Sequence, residues 1–254
     1  MTDGTSLLHS ELVDAFAALL SSHPEATFEQ RDGYVFVSYP RAPLPAMNGV
    51  WSGNDDVSAA AALEGELERV RATGIPPGVT VLDGEAPRLL AEARRLGLTE
   101  TLPLPGMTTW PDRFRPVEID SAEIEVVDDE EALAEACAVL ADGFGVPVEW
   151  FRDIYRPEGL GGGVVYLLRE NGRPASTAVS YQGRSGLGIF NVATSEQWRG
   201  RGYGAAVTSR AVADGFAAGA DFAYLQASAM GEPVYRRLGF EQVSTYTLAH
   251  ARAG

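Results

Sequence analysis

A glycine-rich segment at residues 199–204 carries the clearest chemical signal in the chain. It reads Arg199-Gly200-Arg201-Gly202-Tyr203-Gly204 and leads into residues 205–216, an alanine-rich stretch that predicts a helix. Glycines at alternate positions let consecutive backbone N–H groups turn towards one point, and a helix that begins there adds the positive end of its dipole. The segment therefore predicts an anion site suited to a phosphate or pyrophosphate, with the two arginines adding charge at its rim.

Two common nucleotide fingerprints fit this segment poorly. A P-loop ends in Gly-Lys-Ser/Thr, and no such end follows here. The looser Rossmann spacing G-x-G-x-x-G/A is met by Gly200, Gly202 and Ala205, but the next predicted strand, residues 222–228, carries no acidic residue for a ribose. A nucleotide site of the Rossmann type is therefore kept only as a weaker alternative.

The segment instead resembles the acetyl-CoA loop of the GCN5-related N-acetyltransferases (GNAT family). That motif is R/Q-x-x-G-x-G/A, and Arg199, Gly202 and Gly204 stand in its positions. A second stretch, residues 226–240, is similar to the family's later motif, a short helix ending in Tyr-x-x-x-Gly-Phe, here Tyr235 to Phe240. Both motifs stand in the family's order, and the resemblance is confined to roughly residues 186–240.

This resemblance implies that acetyl-CoA is the co-substrate and that a primary amine, on a small molecule or a peptide, attacks it directly. It also implies an oxyanion-stabilising N–H near Val192 and a general acid for the departing thiolate at Tyr235. The cofactor-binding residues that it implies are Val192, Ala193, Thr194, Arg199, Gly200, Arg201, Gly202, Tyr203, Gly204, Ala205 and Ser228. The alternative for Tyr235 is a core aromatic with a hydrogen-bonded tip, and for Ser228 a helix or turn cap.

The general base is not identified by the sequence. Asn191, in the strand before the loop, cannot act as a base. The acidic candidates, none of which stands out, are Asp142, Glu149, Asp153 and Glu196. The amine could instead arrive neutral or lose its proton to water.

Alternating predicted strands and helices must position these residues. Residues 186–193 read as the strand before the loop, and residues 222–227 as the strand before the second motif. Upstream, acids at 128–131 open a helix that is predicted to stop near Gly143, Pro147 opens another, and Asn171-Gly172 turns a hairpin. The resulting fold class is α/β, with a mixed sheet flanked by helices.

The N-terminal half echoes the C-terminal half. Arg94-Arg95-Leu96-Gly97-Leu98 matches Arg236-Arg237-Leu238-Gly239-Phe240, 142 residues further on, and a strand and a proline-opened helix precede both. Ala93 replaces Tyr235, and Ser52–Asp56 has two acids and no arginine where the loop would lie. We therefore predict two GNAT-like lobes: a degenerate copy at 1–115 that is structural or walls the substrate cleft, and a catalytic domain at 119–254.

Composition excludes several other functions. A net charge of −15, from 20 basic and 35 acidic residues, argues against a nucleic-acid partner. No apolar run is long enough to span a membrane, and the three histidines, His9, His23 and His250, show no metal-ligand spacing. The single cysteine, Cys137, is expected in a core and suits the reducing cytoplasm. The sequence leaves a homodimer open.

A second class of function competes with catalysis. The protein could bind acyl-CoA as a sensor or scaffold without turnover. The presence of Tyr235 argues against this alternative, and the missing general base argues for it.

Overall fold

The structure is a computed structural model that describes residues 4–52 and 57–252. It contains seven α-helices and eleven strands within these residues. In chain order they are α1 (Gly4–Ser21), β1 (Thr27–Arg31), β2 (Tyr34–Ser38), β3 (Asn48–Ser52), α2 (Val57–Arg71), β4 (Gly78–Leu82), α3 (Pro87–Arg95), β5 (Glu100–Thr109), β6 (Ala122–Val126), α4 (Glu130–Phe144), α5 (Val148–Ile154), β7 (Val164–Glu170), β8 (Arg173–Gln182), β9 (Gly186–Thr194), α6 (Tyr203–Ala217), β10 (Phe222–Gln226), α7 (Glu232–Arg237) and β11 (Glu241–His250). Short 3₁₀ helices lie at Pro45–Met47 and Glu196–Trp198.

The chain forms two compact units, and both are discontinuous in sequence. The first unit is made of Met1–Ser22 and Met107–Val243, and the second of His23–Gly106 and Ser244–Gly254. The division differs from the predicted boundary at residues 115–119 because α1 belongs to the first unit, and because β5 and β11 each contribute residues to both. Of the predicted loop at residues 52–56, Ser52 is the last residue of β3, and residues 53–56 lie outside the described residues.

The first unit has a mixed sheet with the strand order β6-β7-β8-β9-β10-β5. The pairs from β6 to β9 are antiparallel, whereas β9 and β10 are parallel. Successive residues of a strand point to opposite faces. Leu187 and Ile189 of β9 accordingly join a buried cluster with α6, while Phe190 meets Phe16 of α1 edge to face at 6.2 Å. Helices thus cover both faces of this sheet, as the predicted fold class requires.

The second unit has the strand order β1-β2-β3-β4-β11-β5. β3 and β4 are parallel, and Tyr246–His250 of β11 pair antiparallel with Gly78–Leu82 of β4. The core of this unit includes Leu63 and Leu67 of α2 and Leu89 of α3, all fully buried.

The repeated arrangement predicted from the sequence is confirmed. Strand-strand-strand-helix-strand-helix-strand describes β1 to β5 and recurs from β7 to β11. Gly97 after α3 and Gly239 after α7 both adopt left-handed φ values, +94° and +89°, which glycine tolerates without a Cβ clash.

The end of α4 lies close to the position predicted near Gly143. α4 continues through Gly143 to Phe144 and ends at Gly145, whose φ is +68° and whose N–H bonds the carbonyl of Ala141. The left-handed conformation ends the helix, and Gly143 is needed for another reason: a Cβ there would lie 2.7 Å from the Cβ of Ala193 in β9.

Candidate functional site

β9 and β10 form a fork in the first unit. Their parallel pairing runs from Gly186–Phe222 to Ile189–Leu225, but β9 continues to Thr194 while β10 ends at Gln226. We call residues 190–194 and 226–228 the fork. Beyond Ile189 the β10-facing edge of β9 has no β10 residue paired with it, so its main-chain groups are available to a ligand.

A β-bulge lies in the β9 arm of the fork. Phe190 pairs with Val179 and Ala193 with Thr177, so two residues, Asn191 and Val192, oppose the single residue Ala178 of β8. Asn191 has a left-handed φ of +47°, a conformation that asparagine tolerates better than most residues. A bulge of this kind interrupts the ladder and turns the local backbone. The N–H groups near Val192 are therefore released from regular pairing at the position where the sequence predicts an oxyanion donor.

The glycine-rich segment begins α6 beside this arm. Gly200 and Gly202 have φ values of +78° and +85°, and a Cβ on Gly200 would meet no atom within 4 Å. Gly202 is the N-cap of α6, and no side chain of the described residues caps this end. The first N–H groups of a helix have no partner within the helix. Those of the first turn, Tyr203 to Ala205, are consequently available to an anion.

The loop and the fork are neighbours. A Cβ on Gly204 would lie 3.4 Å from Oγ1 of Thr194 and 4.0 Å from Cγ1 of Val192. The Ser176 hydroxyl donates to the carbonyl of Ala193 at 2.7 Å and lies 2.9 Å from Oγ1 of Thr194, which fixes the end of β9. A ligand that follows the β9 arm is thus led to the N terminus of α6.

The two arginines of the loop have different surroundings. Arg199 donates to the carbonyls of Gly143 and Thr194, at 3.0 and 3.4 Å, and so ties the end of α4 to the end of β9. Arg201 places its guanidinium 4.9 Å from the ring centre of Trp198, a cation–π contact. Both side chains are exposed, and both keep positive charge beside the open end of α6.

Tyr235 lies on α7 and is only 8% exposed. Its ring packs edge to face on Phe240 at 5.9 Å, as expected for a core aromatic. Its hydroxyl, however, makes no hydrogen bond to any described residue. Burial raises the pKa of Tyr235, so this hydroxyl stays protonated at neutral pH and is an available donor.

The polar residues at the end of β10 differ in their contacts. The hydroxyl of Ser228 accepts the N–H of Gly231 at 3.1 Å, which is the turn-capping role weighed for it above. The side-chain nitrogen of Gln226 is buried and has no hydrogen-bond partner in the described chain. Gln226 was not singled out from the sequence, although it is the only polar side chain that follows four apolar residues in β10.

The acidic candidates for a general base do not stand in the fork. Residues 190–194 and 226–228 carry no carboxylate. Asp142 accepts the N–H of Glu196 at 3.0 Å and thereby caps the short 3₁₀ helix. The fork accordingly presents backbone groups, amides and hydroxyls rather than charged side chains.

A contact between α5 and the bulge was also not expected. The side-chain nitrogen of Asn191 donates to the hydroxyl of Tyr155, which follows α5. The only signal for this bulge in the sequence was an asparagine within an apolar strand, because asparagine adopts a left-handed backbone conformation more readily than most residues.

Cys137 is not part of the site. It lies buried in α4, and burial raises the pKa of its thiol to about 11. It is therefore a neutral core side chain, in agreement with the role expected for it.

No metal or membrane feature is found in residues 4–52 and 57–252. These residues hold no cluster of three or more potential metal ligands. In the same ranges no helix has the length and apolar character needed to cross a bilayer.

Comparison with known proteins adds the family. Residues 128–240 match the model of the acetyltransferase (GNAT) family. No curated protein sequence matches the chain. The matched residues include the fork, the glycine-rich loop and Tyr235.

Solved structures resemble the chain over its full length. A GCN5-related N-acetyltransferase from Kribbella flavida is 18% identical with a TM-score of 0.76, covering 100% of this chain and 98% of its own. An acetyltransferase assigned to the GNAT family from Novosphingobium aromaticivorans is 16% identical with a TM-score of 0.61, and the match covers 94% of this chain and 97% of that protein. A tandem GNAT protein from the clavulanic acid biosynthesis pathway, solved without AcCoA, is 11% identical with a TM-score of 0.61, covering 98% and 96%. At these identities the likeness concerns the fold.

Proposed function

We propose that the C-terminal half of the chain, whose residues 128–240 match the model of the acetyltransferase (GNAT) family, moves the acetyl group of acetyl-CoA to a primary amine by direct attack. The observation that carries the proposal is the fork, whose unpaired β9 arm lies beside the uncapped N terminus of α6. An extended pantetheine thioester that leads to a pyrophosphate matches this pairing of a strand edge and a helix end.

In the proposed complex, the pyrophosphate binds the N–H groups at residues 202–205. A side chain at Gly202 would have to adopt φ +85°, and the space beside Gly200 is open, so both glycines suit a close approach of the phosphates. The pantetheine arm then bonds the β9 main chain at Val192, Ala193 and Thr194. The other proposed contacts are Arg199, Gly200, Arg201, Tyr203, Gly204, Ala205 and Ser228.

In the proposed reaction, one group of the protein acts on the carbonyl oxygen of the thioester and another acts on its sulfur. As the neutral amine attacks the carbonyl carbon, the developing oxyanion is stabilised by the N–H released near Val192. When the C–S bond breaks, Tyr235 donates its proton to the sulfur as general acid. The low exposure of Tyr235, together with a hydroxyl that has no hydrogen-bond partner among the described residues, supports this assignment.

Binding of acyl-CoA without turnover is the second candidate. It is favoured by one observation, namely that the fork carries no carboxylate to deprotonate an amine. The acceptor class (a small-molecule or peptide amine), a cytoplasmic location, a homodimer and the domain boundaries near residues 115–119 remain predictions from the sequence.

Calorimetric titration of acetyl-CoA into Gly202→Asp and Gly202→Asn tests the cofactor site. Both variants place a side chain at φ +85°, which Asn and Asp tolerate about equally, so the difference between them reports charge. A carboxylate about 8 Å from a phosphate charge costs about 2 kcal/mol at an effective dielectric constant of about 20, or roughly 30-fold in Kd. We expect Asp to weaken binding about 30-fold relative to Asn.

Release of CoA thiol with a panel of amines then separates the two functions. Turnover with any amine supports the transferase. Acetyl-CoA binding without turnover over the whole panel supports the acyl-CoA sensor. In the calorimetric titration, equal acetyl-CoA affinity of Gly202→Asp and Gly202→Asn would contradict the proposed cofactor loop.

A further inference from the structure

Asn191 is held at the bulge by a contact outside its own sheet. Its side-chain nitrogen donates to the hydroxyl of Tyr155, which is 3% exposed. Tyr155 in turn lies parallel to Phe151 of α5, with an interplanar angle of 5°, and its N–H bonds the carbonyl of Phe151 at 2.8 Å. The amide of Asn191 is therefore fixed by a rigid, buried partner.

The opposite end of this amide is uncommitted. The carbonyl oxygen of the Asn191 side chain makes no hydrogen bond to any residue that the structure describes, and the residue is half-buried. Asn191 is itself a fork residue, so this oxygen is an unpaired acceptor within the described fork. Val192 and Thr194 lie beside Gly204 of α6, whereas Asn191 contacts Tyr155 beyond α5. Asn191 thus contacts a different element from the two fork residues that lie beside the proposed cofactor loop.

Several titratable groups around Asn191 are neutral or already engaged. Burial raises the pKa of Tyr155, Tyr181 in β8 and Cys137 in α4, so all three are uncharged at neutral pH. On α4, Asp142 caps Glu196, and on α1 the carboxylate of Glu11 accepts the N–H of Ser185, next to the opposite end of β9. The remaining charged residues of α5 are Glu149, Arg152 and Asp153.

We propose that Asn191 positions the acceptor amine by accepting one of its N–H bonds, and that the acceptor is a weakly basic primary amine of the α-amino type. This inference rests on the proposed acetyl transfer. An amide oxygen can orient a neutral amine but cannot remove a proton from an ammonium ion. At pH 7 about one in seven α-amino groups is neutral, against about one in 2,500 amines with the basicity of a lysine side chain. A fork without a carboxylate therefore selects the weaker base.

The reaction balances without an enzyme base. The lone pair of the neutral amine forms the C–N bond, and the carbonyl π electrons move to oxygen. Collapse of this intermediate breaks the C–S bond, and the thiolate takes the proton of Tyr235. The nitrogen, cationic after attack, releases one proton to water, and the Tyr235 oxygen recovers one from water.

Three variants of the full chain test this inference. Asn191→Asp keeps a residue that tolerates positive φ and can accept from Tyr155 but adds a carboxylate, whereas Asn191→Gly keeps the backbone and removes the side chain. Tyr155→Phe removes the anchoring hydroxyl and keeps the ring. The acceptors are a series of amino-acid amides and a series of alkylamines that includes Nα-acetyl-lysine amide, with kcat/KM measured from pH 6 to 9 and acetyl-CoA binding measured by calorimetry.

We expect the wild type to prefer the amino-acid amides, with kcat/KM rising with pH and levelling at the pKa of each amine. Asn191→Gly should lower kcat/KM about 10-fold, the usual effect of one lost hydrogen bond, while acetyl-CoA affinity changes less than about 2-fold. The kcat/KM of Tyr155→Phe should lie between those of the wild type and Asn191→Gly. Asn191→Asp should shift the ratio of kcat/KM values about 10-fold in favour of alkylamines.

Two results would overturn the inference about Asn191 and leave the proposed acetyl transfer unaffected. One is wild-type kcat/KM in Asn191→Gly with intact acetyl-CoA binding. The other is a pH profile that levels at one pH for amines of different pKa, which would reveal an enzyme base. If the wild type acetylates no amine in either series, the proposed function fails, and this inference fails with it.

Discussion

The packing around Tyr235 gives its side chain the two properties that the proposed general acid needs. Its ring lies in the core with Phe240, and a Cβ on Gly231 would approach that ring to 2.8 Å, so the side chain has little freedom. Its hydroxyl has no hydrogen-bond partner in residues 4–52 and 57–252, and burial raises its pKa. A general acid requires both a fixed position and a retained proton.

Replacing Tyr235 by Phe should lower kcat about 100-fold, at the lower end of the usual effect of a general acid, with Kd for acetyl-CoA nearly unchanged. Steady-state kinetics of CoA release measure this. Because the pKa is raised, the alkaline fall in wild-type kcat from loss of this proton should occur only above about pH 10.

Tyr224→Phe is the matched control for that variant. The Tyr224 hydroxyl donates to the carbonyl of Glu11 at 2.8 Å, so its loss should reduce stability and leave kcat unchanged. If both variants lose kcat equally, Tyr235 has a structural role.

At the scale of elements, α4 depends on a local cap. The side chain of Asp129 accepts the N–H of Ala132 at 2.8 Å, and Glu130 and Glu131 follow in the first turn, where the helix dipole favours acids. The far end of α4 reaches the site, because the carbonyl of Gly143 accepts from Arg199. A change at the start of α4 therefore tests stability apart from chemistry.

Asp129→Ala should destabilise the protein by about 1 kcal/mol, which for a chain of this size corresponds to about 2–4 °C in Tm. Thermal unfolding measured by circular dichroism checks this. The control is Asp128→Ala, because this substitution removes the same charge from a residue that makes no capping hydrogen bond. Equal losses in the two variants would assign the effect to charge rather than to the hydrogen bond.

At the scale of the molecule, neither half of the sequence contains all of one compact unit. The first unit takes α1 and residues 107–109 of β5 from the N-terminal half, and the second takes residues 244–250 of β11 from the C-terminal half. α1 brings four leucines that are 8% exposed or less: Leu8, Leu12, Leu19 and Leu20. Their burial is worth about 2 kcal/mol each, a large share of a typical stability of about 5–15 kcal/mol.

A fragment of residues 119–254 should therefore show no cooperative unfolding transition, although it holds every proposed catalytic residue. Addition of a separately made 1–118 fragment should restore the transition and acetyl-CoA binding. Calorimetry of the fragment, alone and with its complement, measures both. A fragment 119–254 that melts cooperatively and binds acetyl-CoA by itself would show that the sequence-based boundary also defines an independent folding unit.

The sequence alone determined most of the elements and the resemblance to the GNAT family, whose model matches residues 128–240. Glycine and proline have strong local preferences, so Pro87, Gly97, Pro233 and Gly239 placed their helices to within a few residues. The spacing of Arg199, Gly202 and Gly204 predicted an anion-binding loop, because such a loop is built from consecutive backbone groups.

Only the tertiary structure decided the features that depend on contacts distant in sequence. The bulge at Asn191 follows from the register between β8 and β9, and the contact between Asn191 and Tyr155 joins residues 36 positions apart. The division of β11 between the two units likewise follows from the pairing of its C-terminal residues with β4, which lies far from β11 in the sequence. Local propensity carries no information about such partners, since strand register and helix docking are set by packing across the whole fold.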